Sequence, residues 1–192
     1  TYGDNFGFDY QTTTGQATLK QIFSQKFYSK FAATLSQNKS TQYDYSGLDA
    51  SQLDNNIGFL SIKEQLSLQP RAGLQLDAGL SAILYQSLPG ARRPLNDLSQ
   101  VFAKSLEKER GLESAAFLNA EWSVSSALQI SGGLRLGFYQ FLGPKTVFEY
   151  QNEIPSLLNL IDTTVYGKGK TIATYSSLEP RLSARYRFSP AV

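Results

Sequence analysis

The chain has 192 residues, and its 18 Lys and Arg against 16 Asp and Glu give a formal charge of +2, without the basic excess of a dedicated nucleic-acid binder. Cys and His are both absent, which excludes disulfides, thiolate nucleophiles, imidazole bases and the zinc sites that depend on those ligands. No apolar run approaches the roughly 18 to 20 residues of a spanning helix, and Thr1-Tyr2-Gly3-Asp4-Asn5 has no signal-peptide character. With 12 Phe, 11 Tyr and abundant Gly, Ser, Thr and Gln, the composition favours strands and turns. Met is missing even at position 1, so a processed chain or part of a longer one is expected.

Alternation of apolar and polar side chains predicts seven strands in chain order. Residues 17–23 place Ala17, Leu19 and Phe23 on one face, and residues 27–35 place Phe27, Phe31, Ala33 and Leu35 there. Residues 58–68 contribute Leu60, Ile62, Leu66 and Leu68, and residues 74–85 contribute Leu74, Leu76, Ala78, Leu80, Ala82 and Leu84. Residues 116–124 carry Ala116, Leu118, Ala120, Trp122 and Val124 on the apolar side. The pattern is cleanest over 127–141, where Leu128, Ile130, Leu134, Leu136 and Phe138 oppose Gln129, Ser131, Arg135 and Tyr139, and residues 178–188 close the series. These runs exceed the roughly 5 to 6 residues of an ordinary soluble strand.

The connections alternate in length. Ser24-Gln25-Lys26, Pro70-Arg71-Ala72-Gly73 and Ser125-Ser126 have the chemistry of tight turns, and Ser189-Pro190 is a further turn signal. The links over 38–56, 87–113 and 143–171 are long. Within the second, Leu98, Val101, Phe102 and Leu106 recur at helical spacing between Asn96 and Gly111, predicting a short surface helix.

Long strands, short turns at one end and long loops at the other predict an all-β fold. Its expected form is an antiparallel up-and-down segment of a transmembrane β-barrel, with short periplasmic turns and long extracellular loops, occupying residues 1–192 as one partial domain. Lipid supplies no hydrogen bonds, so strands cross it only when paired edge to edge. Phe27, Trp122, Tyr186 and Phe188 lie near the short turns, where an interfacial aromatic girdle belongs. Gln21 and Glu64 strain the assignment, because the alternation puts both on the lipid-facing side. An odd count leaves two open edges, so further strands from a larger barrel are expected.

Chemical motifs are few. Gly169-Lys170-Thr171 lacks the earlier glycine of a phosphate loop, and Gly132-Gly133 lies inside a strand, where glycine serves curvature or close packing. The polar face carries Lys20, Lys30, Lys63, Asp77, Glu121, Arg135, Glu179, Arg181, Arg185 and Arg187. Of these, Arg135, Glu121, Glu179, Arg181, Arg185 and Arg187, with Tyr139, are candidates to line a lumen or touch a domain plugging it. Tyr43, Tyr45, Arg92, Arg93, Tyr150 and Tyr166 are loop candidates for ligand contact, since aromatic and Arg side chains provide most interfacial anchors. No catalytic residue, metal ligand or cofactor is expected.

Leu178-Glu179-Pro180-Arg181-Leu182-Ser183-Ala184-Arg185-Tyr186-Arg187-Phe188 resembles a strand of TonB-dependent outer-membrane receptors of the Bacteroidetes type. Gly133-Leu134-Arg135-Leu136-Gly137-Phe138-Tyr139 and Tyr166-Gly167-Lys168-Gly169-Lys170 support the likeness. The resemblance implies a barrel of about 22 strands enclosing an N-terminal plug. It also implies a TonB box that engages the TonB complex, and energised import of a scarce solute such as a siderophore, a cobalamin or a glycan. Neither plug nor box lies in this sequence. Membrane lipid, the plug domain, the TonB complex and a surface lipoprotein are the implied partners, and the outer membrane of a Gram-negative bacterium is the implied location. The contrasting expectation is a soluble β-sandwich or adhesin-like module that binds carbohydrate through exposed aromatics. A passive porin or a lipid-modifying barrel enzyme is a third.

Overall fold

The computed structural model describes residues 5–151 and 155–188. It is all-β, and its main sheet is a meander of long antiparallel strands. These are β1 (Phe6–Ser24), β2 (Phe27–Asp44), β3 (Ser51–Arg71), β4 (Leu74–Pro94), β6 (Glu109–Ser123), β7 (Leu128–Leu142) and β10 (Thr171–Tyr186). They pair in the order β1-β2-β3-β4-β6-β7-β10, with the two-residue β5 (Lys104–Ser105) added beside β4. A separate hairpin, β8 (Lys145–Tyr150) with β9 (Leu160–Tyr166), fills much of the link between β7 and β10. Among the described residues β1 and β10 each lack a neighbour on one side, so the sheet is open.

The three short turns form where the turn residues stand. Gly73 takes φ 75°, which a side chain would oppose, and its carbonyl accepts from Ser123 N at 2.7 Å. Ser125 Oγ accepts from the amides of Ala127 and Leu128 at 3.2 and 3.1 Å, closing the turn into β7. Lys26 N donates to Ser24 Oγ at 3.2 Å in the first hairpin. Ser189-Pro190 lies outside the described residues.

The strands are longer than the alternation implies. β1 and β2 have 19 and 18 residues, β3 and β4 21 each, and β6, β7 and β10 15, 15 and 16. The first two expected long loops are therefore largely strand, because Thr, Gln and Asn continue the ladders after the apolar residues stop. The expected helix is absent. Residues 98–106 form irregular chain and the two-residue β5, and Leu98 and Phe102 are exposed. A single short amphipathic turn forms only when its apolar side has a surface to cover, and none is offered here.

Register assembles the apolar faces into one belt. Leu19, Phe31, Glu64, Leu80, Ala116, Leu136 and Leu178 are successive cross-strand partners over all seven strands. The row beside it reads Gln21, Ser29, Leu66, Ala78, Leu118, Leu134 and Pro180. The belt's loop-side limit is level at Leu35, Leu60, Leu84 and Leu112, then steps two residues toward the turns at Phe138 and two more at Leu178. Such a stagger accompanies strands tilted to a barrel axis. Pairing is unbroken on both sides of Glu64 from Leu60 to Leu68, so no bulge turns its carboxylate off the apolar face.

Nothing among the described residues covers this belt. The buried apolar side chains among the described residues are Ala50 and Ala115, whereas Leu80, Leu118 and Leu182 are 65%, 58% and 84% exposed. Burying a Leu contributes about 1.5–3 kcal/mol, so a face this apolar left to water forgoes the main driving force of folding. At the turn end the rings gather: Phe23 stacks on Phe27 at 4.9 Å, Tyr186 meets Phe188 edge-on at 4.9 Å, and the Arg71 guanidinium lies 5.2 Å from the Trp122 ring.

Candidate functional site

The polar face carries the charges expected of it, and strand pairing brings part of that set together. Arg135 on β7 lies between Glu113 on β6 and Glu179 on β10. Its Nη2 donates to Glu113 Oε1 at 2.7 Å, and its Nε stands 3.8 Å from Glu179 Oε1, an ion pair without a hydrogen bond. Glu179 Oε2 accepts from Arg181 Nη2 at 3.3 Å, and Tyr85 OH reaches Glu113 Oε2 at 3.4 Å. Lys63, Tyr85, Glu113, Arg135, Glu179 and Arg181 line an open cavity of about 490 Å³. Arg135 is 35% exposed, so water screens these pairs and each contributes about 0.2–1 kcal/mol.

The remaining candidates for this face are spread along it. Tyr139 lies toward the loops, with Gly111 leaving room for its ring and Tyr175 6.4 Å away. Glu121 accepts from Gln129 nearer the turns, where Arg185 stands opposite Gln129. Arg187 follows the end of β10, its amide donating to the Ala127 carbonyl at 2.8 Å. Asp77 is held by Ser67 Oγ, by Gln65 at 3.3 Å and by Gln75 at 3.0 Å. Lys20 and Lys30 are direct cross-strand partners, with the Lys20 ammonium 4.2 Å from the Tyr28 ring. Gly133 serves close packing as expected, since the Asn119 amide occupies the space a side chain would take.

Beyond the belt, three of the six ligand-contact candidates, Tyr43, Tyr45 and Arg93, converge on strand ends and the turn after β2 rather than on loops. Tyr43 of β2, Gln52 of β3 and Arg93 of β4 are cross-strand partners. Tyr43 and Tyr45 stack at 6.0 Å above Gly7 of β1, where a Cβ would meet Tyr45 OH at 2.9 Å. Asp54 accepts from Arg93, from Gln52 Nε2 at 2.8 Å and from Thr41 Oγ1 at 3.0 Å. Burial pushes the Asp54 carboxyl up, but the hydrogen bonds from Gln52, Arg93 and Thr41 outweigh it and hold the carboxyl below its ordinary value. Desolvation and the neighbouring Asp9 carboxylate push the Tyr43 hydroxyl up. Arg92 faces the other way, donating to Ser51 Oγ at 3.2 and 3.1 Å. Tyr150 and Tyr166 belong to the β8–β9 hairpin and join neither cluster.

Glu113 and Asp54, the acceptors that organise the two clusters, escaped the sequence reading because both fell in stretches assigned to loops. For Glu113 a signal existed: the alternation of residues 116–124 extends back through Ala115 and Glu113. Both clusters present fixed charges and hydrogen-bonding groups on rigid strands, an arrangement suited to holding a polar solute or a protein surface. No protein-family model and no curated protein matches this chain.

Proposed function

We propose that this chain is a section of wall from an outer-membrane β-barrel of the TonB-dependent receptor kind, which captures a scarce solute at the cell surface and imports it. The observation that carries the reading is the belt, a single apolar face in register over seven strands, bounded by aromatic rings at one end and polar strand extensions at the other. Along β6 it runs from Leu112 to Trp122, about 34 Å of strand at ~3.4 Å per residue, or about 26 Å of height at a ~40° tilt, against the roughly 25 Å apolar band of such barrels. The polar face then meets a wet interior, where the Glu113–Arg135–Glu179 network gives a plug domain charged groups to dock on. The open edges of β1 and β10 require further strands, since unpaired edges do not persist in lipid.

In the parent receptor the surface loops capture the solute, and rearrangement of the plug, driven by TonB from the periplasm, admits it. A surface lipoprotein fits the same exposed end. The soluble sandwich reading needs a second sheet packed on the belt, and the described residues provide none. Fractionation of the native polypeptide tests the proposal. An outer-membrane species several times heavier than 21.2 kDa is expected, whereas a detergent-independent soluble protein of this mass would overturn it.

A further inference from the structure

A cavity of about 620 Å³ sits across the loop-side limit of the belt. Leu35, Leu60, Leu84 and Leu142 line it, and the alternation of their strands places all four on the apolar face. Arg110, one step beyond the last belt residue of β6 and opposite Gln86 and Leu142, lines it as well, as does Lys168 from the turn between β9 and β10. Neither cation has an ion-pair partner among the described residues. Asn56 also lines the cavity, and its Oδ1 is buried without a hydrogen-bond partner. Native structures rarely leave such an acceptor unsatisfied, so a donor from outside the chain is the economical complement.

From this combination we propose that the cavity binds a phosphorylated amphiphile of the surrounding membrane. Its acyl chain lies along the leucines, its phosphate meets Arg110 and Lys168, and a headgroup hydroxyl donates to Asn56 Oδ1. Free phosphate leaves the leucines uncovered and a neutral lipid leaves the two cations unpaired, whereas a phosphorylated lipid satisfies both. The site rests on the membrane reading above, because it assigns the belt to lipid.

The test is native mass spectrometry of the full native polypeptide in nonionic detergent, with diphosphoryl lipid A as the probe. Arg110→Gln with Lys168→Gln is expected to weaken binding by about tenfold or more, the scale of losing charge-assisted hydrogen bonds. Dephosphorylated lipid A is expected to lose a similar factor on the unmodified protein, and Lys20→Gln with Lys30→Gln on the opposite face is expected to change nothing. If the double variant folds poorly, Lys168→Gln alone gives the same comparison. Equal binding by the variant, or displacement of the lipid by inorganic phosphate at matched concentration, overturns the site. A membrane-embedded polypeptide with charge-independent lipid binding refutes the site and spares the wall reading. A soluble polypeptide overturns both, whatever its lipid binding, because no membrane then surrounds the cavity.

Discussion

Leu118→Arg separates a lipid-facing belt from a wetted one. Leu118 lies on the apolar face of β6, with Ala78 and Leu134 as its cross-strand partners, four residues from Trp122 and six from Leu112. With strands tilted by ~40°, four residues amount to about 10 Å of height, near the middle of a band roughly 25 Å thick. A guanidinium at that depth costs about 2–4 kcal/mol, an unfolding equilibrium shifted by about 30- to 900-fold. The same substitution on a face already 58% exposed to water costs no more than about 0.5 kcal/mol. Ser183→Arg, on the polar face of β10, is the control and is expected to stay within about 0.5 kcal/mol. Denaturant unfolding of the native polypeptide from lipid vesicles, followed by its heat-modifiable migration on gels, measures both. Equal tolerance of the two arginines would refute the assignment of the belt to lipid.

Glu64→Leu removes the one carboxylate of the central belt row and is expected to stabilise the bilayer-inserted protein by about 1 kcal/mol, seen as a higher denaturant midpoint. A double-mutant cycle of Arg135→Met and Glu113→Gln is expected to give a coupling of about 0.2–1 kcal/mol that shrinks in high salt. Because its carboxyl is held below the ordinary value, Asp54 contributes stability that is fully present above about pH 4, its unfolded value, and is lost as pH falls through its lower folded value. Protection of the Gln52 and Tyr43 amides, with the intrinsic pH dependence of exchange divided out, should therefore fall on acidification below about pH 4 and stay level in Asp54→Asn. Deleting residues 95–108 from the native polypeptide is expected to reduce solute uptake without changing membrane insertion, and unchanged uptake counts against capture at the loops.

The belt was legible in the sequence because side chains alternate between a strand's two faces, and Leu128 to Phe138 record one apolar and one polar face residue by residue. Its limits were also legible, since the apolar run on β3 stops at Leu60 and that on β4 at Leu84. What the alternation missed are the strand extensions, where Thr12, Asn38, Asn55 and Gln86 sit on either face and leave no contrast to read. Those extensions place Tyr43, Gln52 and Arg93 in one row, so the rim cluster depends on register rather than on any local motif. Helical spacing misled at Leu98 to Leu106 for a related reason: periodicity reports a preference, and a surface must exist to satisfy it.

The most direct test of the belt uses Trp122, the chain's single tryptophan, in a native polypeptide whose other tryptophans, where present, are replaced by phenylalanine. Trp122 is 42% exposed, on the apolar face beside the turns. Inserted into vesicles whose lipids carry bromine at defined acyl positions, Trp122 should be quenched most by bromines near the headgroup and progressively less by deeper ones. Fluorescence indifferent to bromine at every depth would contradict the account, because it would place the apolar face away from lipid.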